Sequence, residues 1–566
     1  MKKIFLYAAV CSMMVGIATS CDEFLKEENL SNINSDEYFS DATGYESLVS
    51  AAYASLRSIW QHEPWLFCLG VDIYTRGESE LVSGSYGNRD VMSSELNEYA
   101  TLDAENSYVR AFYTNVYYGI QVCNTAIAKG TGVTGMNANT LSQRIAEVRF
   151  LRAYYYYLLV EQFGDVAIVT DEIRTAVTDF PRQPEQEVYA FIVQELNEVV
   201  NALPVRQGNY GRITQGAAKH LLSLVYLTRG YKSYGQSSDF STAASLADEV
   251  IGNGTYRLLD TFAEVFTPGN EENDEIIFSV QYDPNSLGSQ YGGNGQQSLF
   301  GFELWNKVSG GFENGNLTHG WKKNQFMCTQ FLYSLYDTNI DSRYDDTFKS
   351  VFYATQASPS IGLEVGDLRL YFPTYDQPFS LEDSLAFMAE HPNAIIVTKE
   401  FWKQDIENMG GRGMSPMVWK FFDPEASWPG NTTQYSGTRD IFLFRLADTY
   451  LMAAEAYFKA GNAATAAQRI NSVRERAAKN GHESAMDITA SDVTLDLILD
   501  ERGRELVGEY KRWMDLKRTG KLIERTLKYN KLTAKINKMD DHILLRPIPQ
   551  SVIDQSNGTV TQNPGY

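Results

Sequence analysis

From Ala42 to Trp60 the apolar residues Tyr45, Leu48, Val49, Ala52, Tyr53 and Leu56 recur every three or four positions, which puts them on one face of a helix. The same period predicts a partner helix over 107–128. Over 142–163 the apolar set Ile145, Val148, Leu151, Ala153, Tyr155, Leu158 and Leu159, with Gln162, wraps most of the surface, which predicts a buried helix. An amphipathic neighbour follows over 185–202 and is stopped by Pro204; then 214–228, small on one side at Gly216, Ala217 and Ala218, pairs with 241–251. Three or four helix pairs therefore precede residue 255. Between the first two helices, the glycine-rich stretch 62–90 has no helical period and reads as a long ordered loop, a common place for function.

From 256 to 440 the pattern changes to short apolar runs such as 275–281, many glycines and scattered tryptophans, which predicts loops, short strands and a few helices. Helical period returns over 440–477, where Phe444, Ala447, Leu451, Ala454 and Phe458 share a face and Gly461-Asn462 supplies the break before a second helix. From Tyr457 the chain runs nine residues to Ala466, four to Ile470 and three to Val473, the aromatic-then-small spacing of a tetratricopeptide pair; an ordinary helical hairpin is the alternative. Its polar residues Lys459, Gln468, Arg469 and Arg474 form either a docking surface or a plainly solvated face. A last helix is predicted over 495–517, whose mixed charges at neighbouring helical positions read as a salt-bridged, solvated element.

The amino terminus has Lys2 and Lys3, an apolar run from Ile4 to Ile17, and then Ala18-Thr19-Ser20-Cys21. This is an export signal, too short to span a bilayer, and it ends like a bacterial lipoprotein site with Cys21 as the lipidated residue; Ala18 stands where leucine is usual. Cys11 is a poorer candidate because the apolar run would be cut short. Residues 21–40 are a polar, acidic tether. The remaining Cys68, Cys123 and Cys328 are too sparse for a disulfide framework or metal cluster and are expected to be buried thiols.

The net charge of −22 repels phosphate backbones, which argues against nucleic acid as a partner. No HExxH, GxSxG, CxxC or Walker loop occurs, so no enzyme activity, cofactor or metal is expected. Gly292 to Gly295 (GGNG) does not open a helix after a strand, as a phosphate cradle would. Asp337, Asp341, Asp345 and Asp346 lack the glycine and distal glutamate of a calcium loop and read as a capped turn. A glycosidase would need two carboxylates across a cleft, and with 71 acids the chain does not exclude such a pair.

Binding is better supported. Aromatics make up 13% of the chain, with 35 tyrosines; most would pack between helices, and some would face a ligand. Sugar rings lie flat on aromatic faces, and their hydroxyls need amide, carboxylate or arginine partners. The candidate ligand residues are Asp72, Arg76, Tyr86 and Arg89 from the first loop, and Tyr291, Phe300, Trp305 and Trp321 from the stretches YGGNGQQSLFGFELW and GGFENGNLTHGW.

These pieces together resemble the SusD/RagB family of outer-membrane nutrient-binding lipoproteins. The resemblance is carried by Cys21, EVRFLRAYYYYLLVEQFGDVAIV (147–169), GRITQGAAKHLLSLVYL (211–227), RLADTYLMAAEAY (445–457), ILDERGRELVGEYKRWMDLKRTG (498–520) and LLRPIPQSVIDQSNGTVTQNPGY (544–566). It implies a mainly α fold, a right-handed superhelix of about four tetratricopeptide-like pairs packed against a loop-rich part with short strands. The division would be a signal over 1–20, the tether, a helical region over 41–255 and a second region over 256–566. It also implies capture of glycan at the cell surface and delivery to a SusC-like TonB-dependent transporter. A peptide- or glycopeptide-binding member, or a divergent surface glycosidase, is the alternative.

Overall fold

The computed structural model describes residues 35–60, 64–77, 89–282, 293–320, 325–402, 414–426 and 437–566, without the side chains of 89–91. Cys21, Tyr86, Tyr291 and Trp321 lie outside them. Eight helices form a layered array: α1 (Ala42–Trp60), α2 (Ser107–Gly130), α3 (Ala138–Phe163), α4 (Glu185–Val199), α5 (Gln215–Arg229), α6 (Asp239–Gly252), α7 (Leu446–Lys459) and α8 (Ala463–Arg476). Each packs on its predecessor, and α7 packs on α6 although almost two hundred residues separate them in sequence. The fold is mainly α, four helix pairs in series. No helix among the described residues is long and apolar enough to cross a membrane.

The apolar period explains the array. In α3 every residue from Ala146 to Phe163 except Arg149 is buried. Ala466 is fully buried against Ala447, Leu451 and Ala454, so the small side chain lets α7 and α8 approach closely. Gly461 has φ +84°, and the Asn462 side chain accepts from the Thr465 amide at 3.1 Å, ending one helix and starting the next.

The intervening segment leaves the array after α6 and returns through two strands. β1 is Tyr74–Arg76, β2 Ile276–Val280, β3 Phe326–Cys328 and β4 Ile441–Arg445; β2 pairs with β4, and β1 with β3, both antiparallel. Phe444 therefore lies in a strand, where a helical face was expected, because extended Arg445 carries β4 directly into α7.

The C-terminal charged stretch also departs from expectation. It is two helices, α9 (Leu495–Glu505) and α10 (Arg512–Arg518), separated at Gly508 and Tyr510, which have φ +74° and +62°. Glu501, Arg502, Glu505, Glu509, Arg512 and Asp515 are buried rather than solvated. Arg445 binds Glu505 and Glu509, each at 2.7 Å, and Glu275 at 3.0 Å, while Arg343 binds Glu501 at 2.8 Å. Removing one member of such a cluster costs about 3–5 kcal/mol, because the remaining charges are left without partners in a dry interior. On the α7–α8 pair, Arg469 binds Asp248 at 2.9 Å and Arg474 binds Glu501 at 3.4 Å, so two residues of the suggested docking face serve internal ion pairs. Asp341 is held by Arg343 at 2.8 Å, and Asp337 accepts the Asn339 amide at 3.0 Å, the capped turn expected there. Cys68, Cys123 and Cys328 are buried free thiols.

Candidate ligand-binding face

The β1–β3 ladder brings the two candidate stretches together. Arg76 is opposite Phe326, and one residue further the Gly77 amide donates to the Gln325 carbonyl at 2.7 Å. The Gly301 amide donates to Phe326, and Phe300 bridges to the same strand, so the segment that carries Trp305 starts from this ladder. At Gly293 the backbone approaches Gly437 so closely that a Cβ would lie 2.1 Å from its carbonyl oxygen. Gly293 thus serves a backbone crossing.

Two candidate residues are interior. Asp72 is fully buried, held by Arg512 at 2.6 Å and Arg525 at 2.9 Å. Burial raises its pKa, but the two guanidinium groups outweigh that and hold it below the ordinary carboxylate value. Phe300 is 1% exposed and packs against Tyr74 and Phe326. Neither faces a ligand, which corrects the expectation for both: each lies at the β1–β3 ladder, and that ladder is inside. Arg76 is half-buried and binds Glu98 at 2.7 Å. Arg89 opens the helix Arg89–Glu98.

Trp305 is different. It stands on the four-residue helix Leu304–Lys307 with 40% of its surface exposed. Beside it is a shallow pocket of about 20 Å³, room for little more than one water, lined by Glu303, Phe312, Glu313, Asn316 and His319 among others. A ligand would therefore lie on this face rather than enter it. The chemistry is an aromatic plane flanked by two carboxylates and an amide. Burial raises the Glu303 pKa, opposed by a hydrogen bond from Asn306. Glu303, Glu313, Asn316 and His319 were not singled out from sequence. The available signal is the richness of YGGNGQQSLFGFELW, for Glu303, and of GGFENGNLTHGW, for the other three, in glycine, aromatics and amides, and it marks a stretch without ranking its residues. No group of three or more His, Cys, Asp or Glu suited to a metal occurs among the described residues.

The family described as "SusD family" matches residues 274–566, more than half of the chain, and one described as "Starch-binding associating with outer membrane" matches 23–227. The chain belongs to the SusD family. SusD-like protein P25 of Formosa agariphila is 26% identical over 543 residues, covering 94% of this chain and 93% of that relative. The starch-binding protein SusD of Bacteroides thetaiotaomicron is 27% identical over 471 residues, 80% of this chain and 78% of that one. A solved laminarin-binding SusD-like protein superposes with a TM-score of 0.68 at 24% identity, covering 93% of this chain and all of that one, which shows the shared SusD fold.

Proposed function

We propose that this SusD-family chain is a glycan-binding lipoprotein of the outer membrane, anchored through Cys21 and facing the cell surface. It hands its ligand to a SusC-like TonB-dependent transporter. The observation that carries the reading is the exposed indole of Trp305 beside Glu303, Glu313 and Asn316, on the segment that leaves the β1–β3 ladder. An indole covers the apolar face of a sugar ring, while carboxylates and amides replace the water lost by its hydroxyls. The names of the starch-binding and laminarin-binding relatives support a glycan as ligand. Arg76, Arg89, Tyr86, Tyr291 and Trp321 remain proposed contributors from the flanking stretches. The acyl chains on a lipidated Cys21 would hold the body at the membrane, at roughly 0.8 kcal/mol per buried methylene.

The test is affinity electrophoresis through gels containing soluble starch, laminarin and other neutral polysaccharides. The wild type is expected to be retarded by at least one, and Trp305→Ala to run faster in that gel. If no glycan retards the protein while a peptide mixture binds, the ligand is peptide. If it releases sugars from the panel and a single carboxylate substitution stops that release, it is a glycosidase. Purification from outer membranes in detergent should bring a TonB-dependent transporter with it, and its absence would remove the delivery step.

A further inference from the structure

Beneath the Trp305 face, His319 is held from both sides of its ring. Lys349 Nζ lies 2.9 Å from Nδ1, and Nε2 lies 2.6 Å from the Tyr353 carbonyl oxygen. An ammonium group only donates and a carbonyl only accepts, so the ring is neutral with its proton on Nε2. The imidazole stands edge-on to Phe312 and Phe352, with centroids 5.7 and 5.5 Å away. Lys349 is a half-buried cation. Its Nζ lies 3.8 Å from the centre of the Trp419 ring and 5.5 Å from that of Phe352, and no carboxylate among the described residues lies within ion-pair distance. Aromatic faces and one imidazole, with no counter-ion among the described residues, favour the charged form of this half-buried lysine.

The turn from Phe312 to Gly320 carries Glu313 and Asn316 to the Trp305 face, and it is attached at both ends. Gly311 accepts from the Thr355 amide at 2.7 Å, and His319 donates to Tyr353 at the other end. We infer that Lys349 and His319 are positioning residues for ligand binding: the charged lysine orients the imidazole, which holds the turn that presents Glu313 and Asn316 beside Trp305. This rests on the reading of that face as the ligand site.

The inference has a pH signature. The groups facing Lys349 are His319 on the turn, Trp419, and Phe352 on the strand Val351–Tyr353; none of them carries a negative charge. Burial lowers the lysine to about 8, and burial together with the neighbouring ammonium lowers His319 to about 4. Binding should therefore be level from pH 5 to 7 and weaken as pH rises through 8, when the cation–aromatic contacts are lost.

Two measurements on the intact protein test it. Hydrogen exchange of the 312–320 turn, corrected for the intrinsic rate at each pH, needs no ligand. Protection in the wild type should fall between pH 7 and 9, be absent throughout in Lys349→Met, and persist at pH 9 in Lys349→Arg, whose charge is permanent. Affinity for soluble starch or laminarin, whichever retards the wild type, should drop roughly three- to ten-fold in Lys349→Met and His319→Leu at pH 6, the range a lost cation–π contact supports. Unchanged protection and affinity in Lys349→Met, or a wild-type profile flat from pH 6 to 9, overturns the inference. A wild type that binds no glycan removes the proposed function instead, and the exchange result still decides whether Lys349 holds the turn.

Discussion

The Gly77 amide donates to the Gln325 carbonyl across 2.7 Å, joining two parts of the chain almost 250 residues apart. That hydrogen bond extends the β1–β3 ladder by one step at its outer end. At the inner end the Thr329 hydroxyl donates to the Asp72 carbonyl at 2.6 Å, and the Asp72 side chain binds two arginines. The ladder thus has a buried ionic foot and a loop-bearing tip.

This division predicts opposite behaviour for two candidate residues. Asp72→Asn leaves Arg512 and Arg525 buried with one counter-charge fewer, and should lower the unfolding free energy by about 3 kcal/mol. Urea titration measures that. The folded variant should bind glycan like the wild type, whereas Trp305→Ala should keep wild-type stability and lose affinity. Weakened binding in folded Asp72→Asn with undiminished stability would reverse the assignment.

Charge makes a second prediction. With Glu303 and Glu313 at the face and a net charge of −22, uronic-acid or sulfated polysaccharides should bind more weakly than neutral ones of similar length. Raising the salt from 20 to 200 mM should narrow that gap by screening the repulsion and leave neutral binding unchanged. Stronger retention of an anionic glycan at low salt would contradict the neutral-ligand reading.

The helices were legible because a buried face repeats every three to four residues, and α1 begins and ends where its apolar period does. The return of the chain to the array is partly legible: the short run at 275–281 forms β2, but its partner β4 carries Phe444, which suits a helical period equally well. Charged residues were the main blind spot. Glu501 and Glu505 are spaced like a solvated helix face, and only tertiary structure supplies the partners, Arg343 and Arg445, that let them be buried. At the candidate site, Phe300 and Trp305 come from the same aromatic stretch. Nothing local distinguishes a ring that faces β3 from one that faces water.

The break between α9 and α10 depends on Gly508. Its φ is +74°, and a Cβ there would lie 2.5 Å from Phe421 Cε2. Gly508→Ala should therefore combine left-handed strain with overpacking and lower stability by about 1–3 kcal/mol. A urea midpoint equal to the wild type would mean that the joint is slack.

His220 should make the protein sensitive to mild acid. The ring lies stacked on Phe444 at 4.3 Å, with Nδ1 2.8 Å from the Thr449 hydroxyl. Burial lowers its pKa to about 3, despite the opposing Asp448 carboxylate. In the unfolded chain the ring titrates near 6.5, so below that pH the unfolded state binds a proton that the folded state refuses. The stability His220 contributes is thus full above pH 6.5 and is lost as pH falls toward 3. Other groups titrate in the same range: His319 has the same sign, and Asp440, raised to about 6 by burial, the opposite one. Comparison with His220→Leu cancels both. Whatever the absolute cost of that substitution, the wild type's advantage over it should shrink by about 2 kcal/mol between pH 7 and pH 5, one proton's linkage over the 1.5 units below 6.5. Urea denaturation of both proteins at half-unit intervals measures it, and parallel stability curves would mean that the folded state takes up the proton as readily as the unfolded chain.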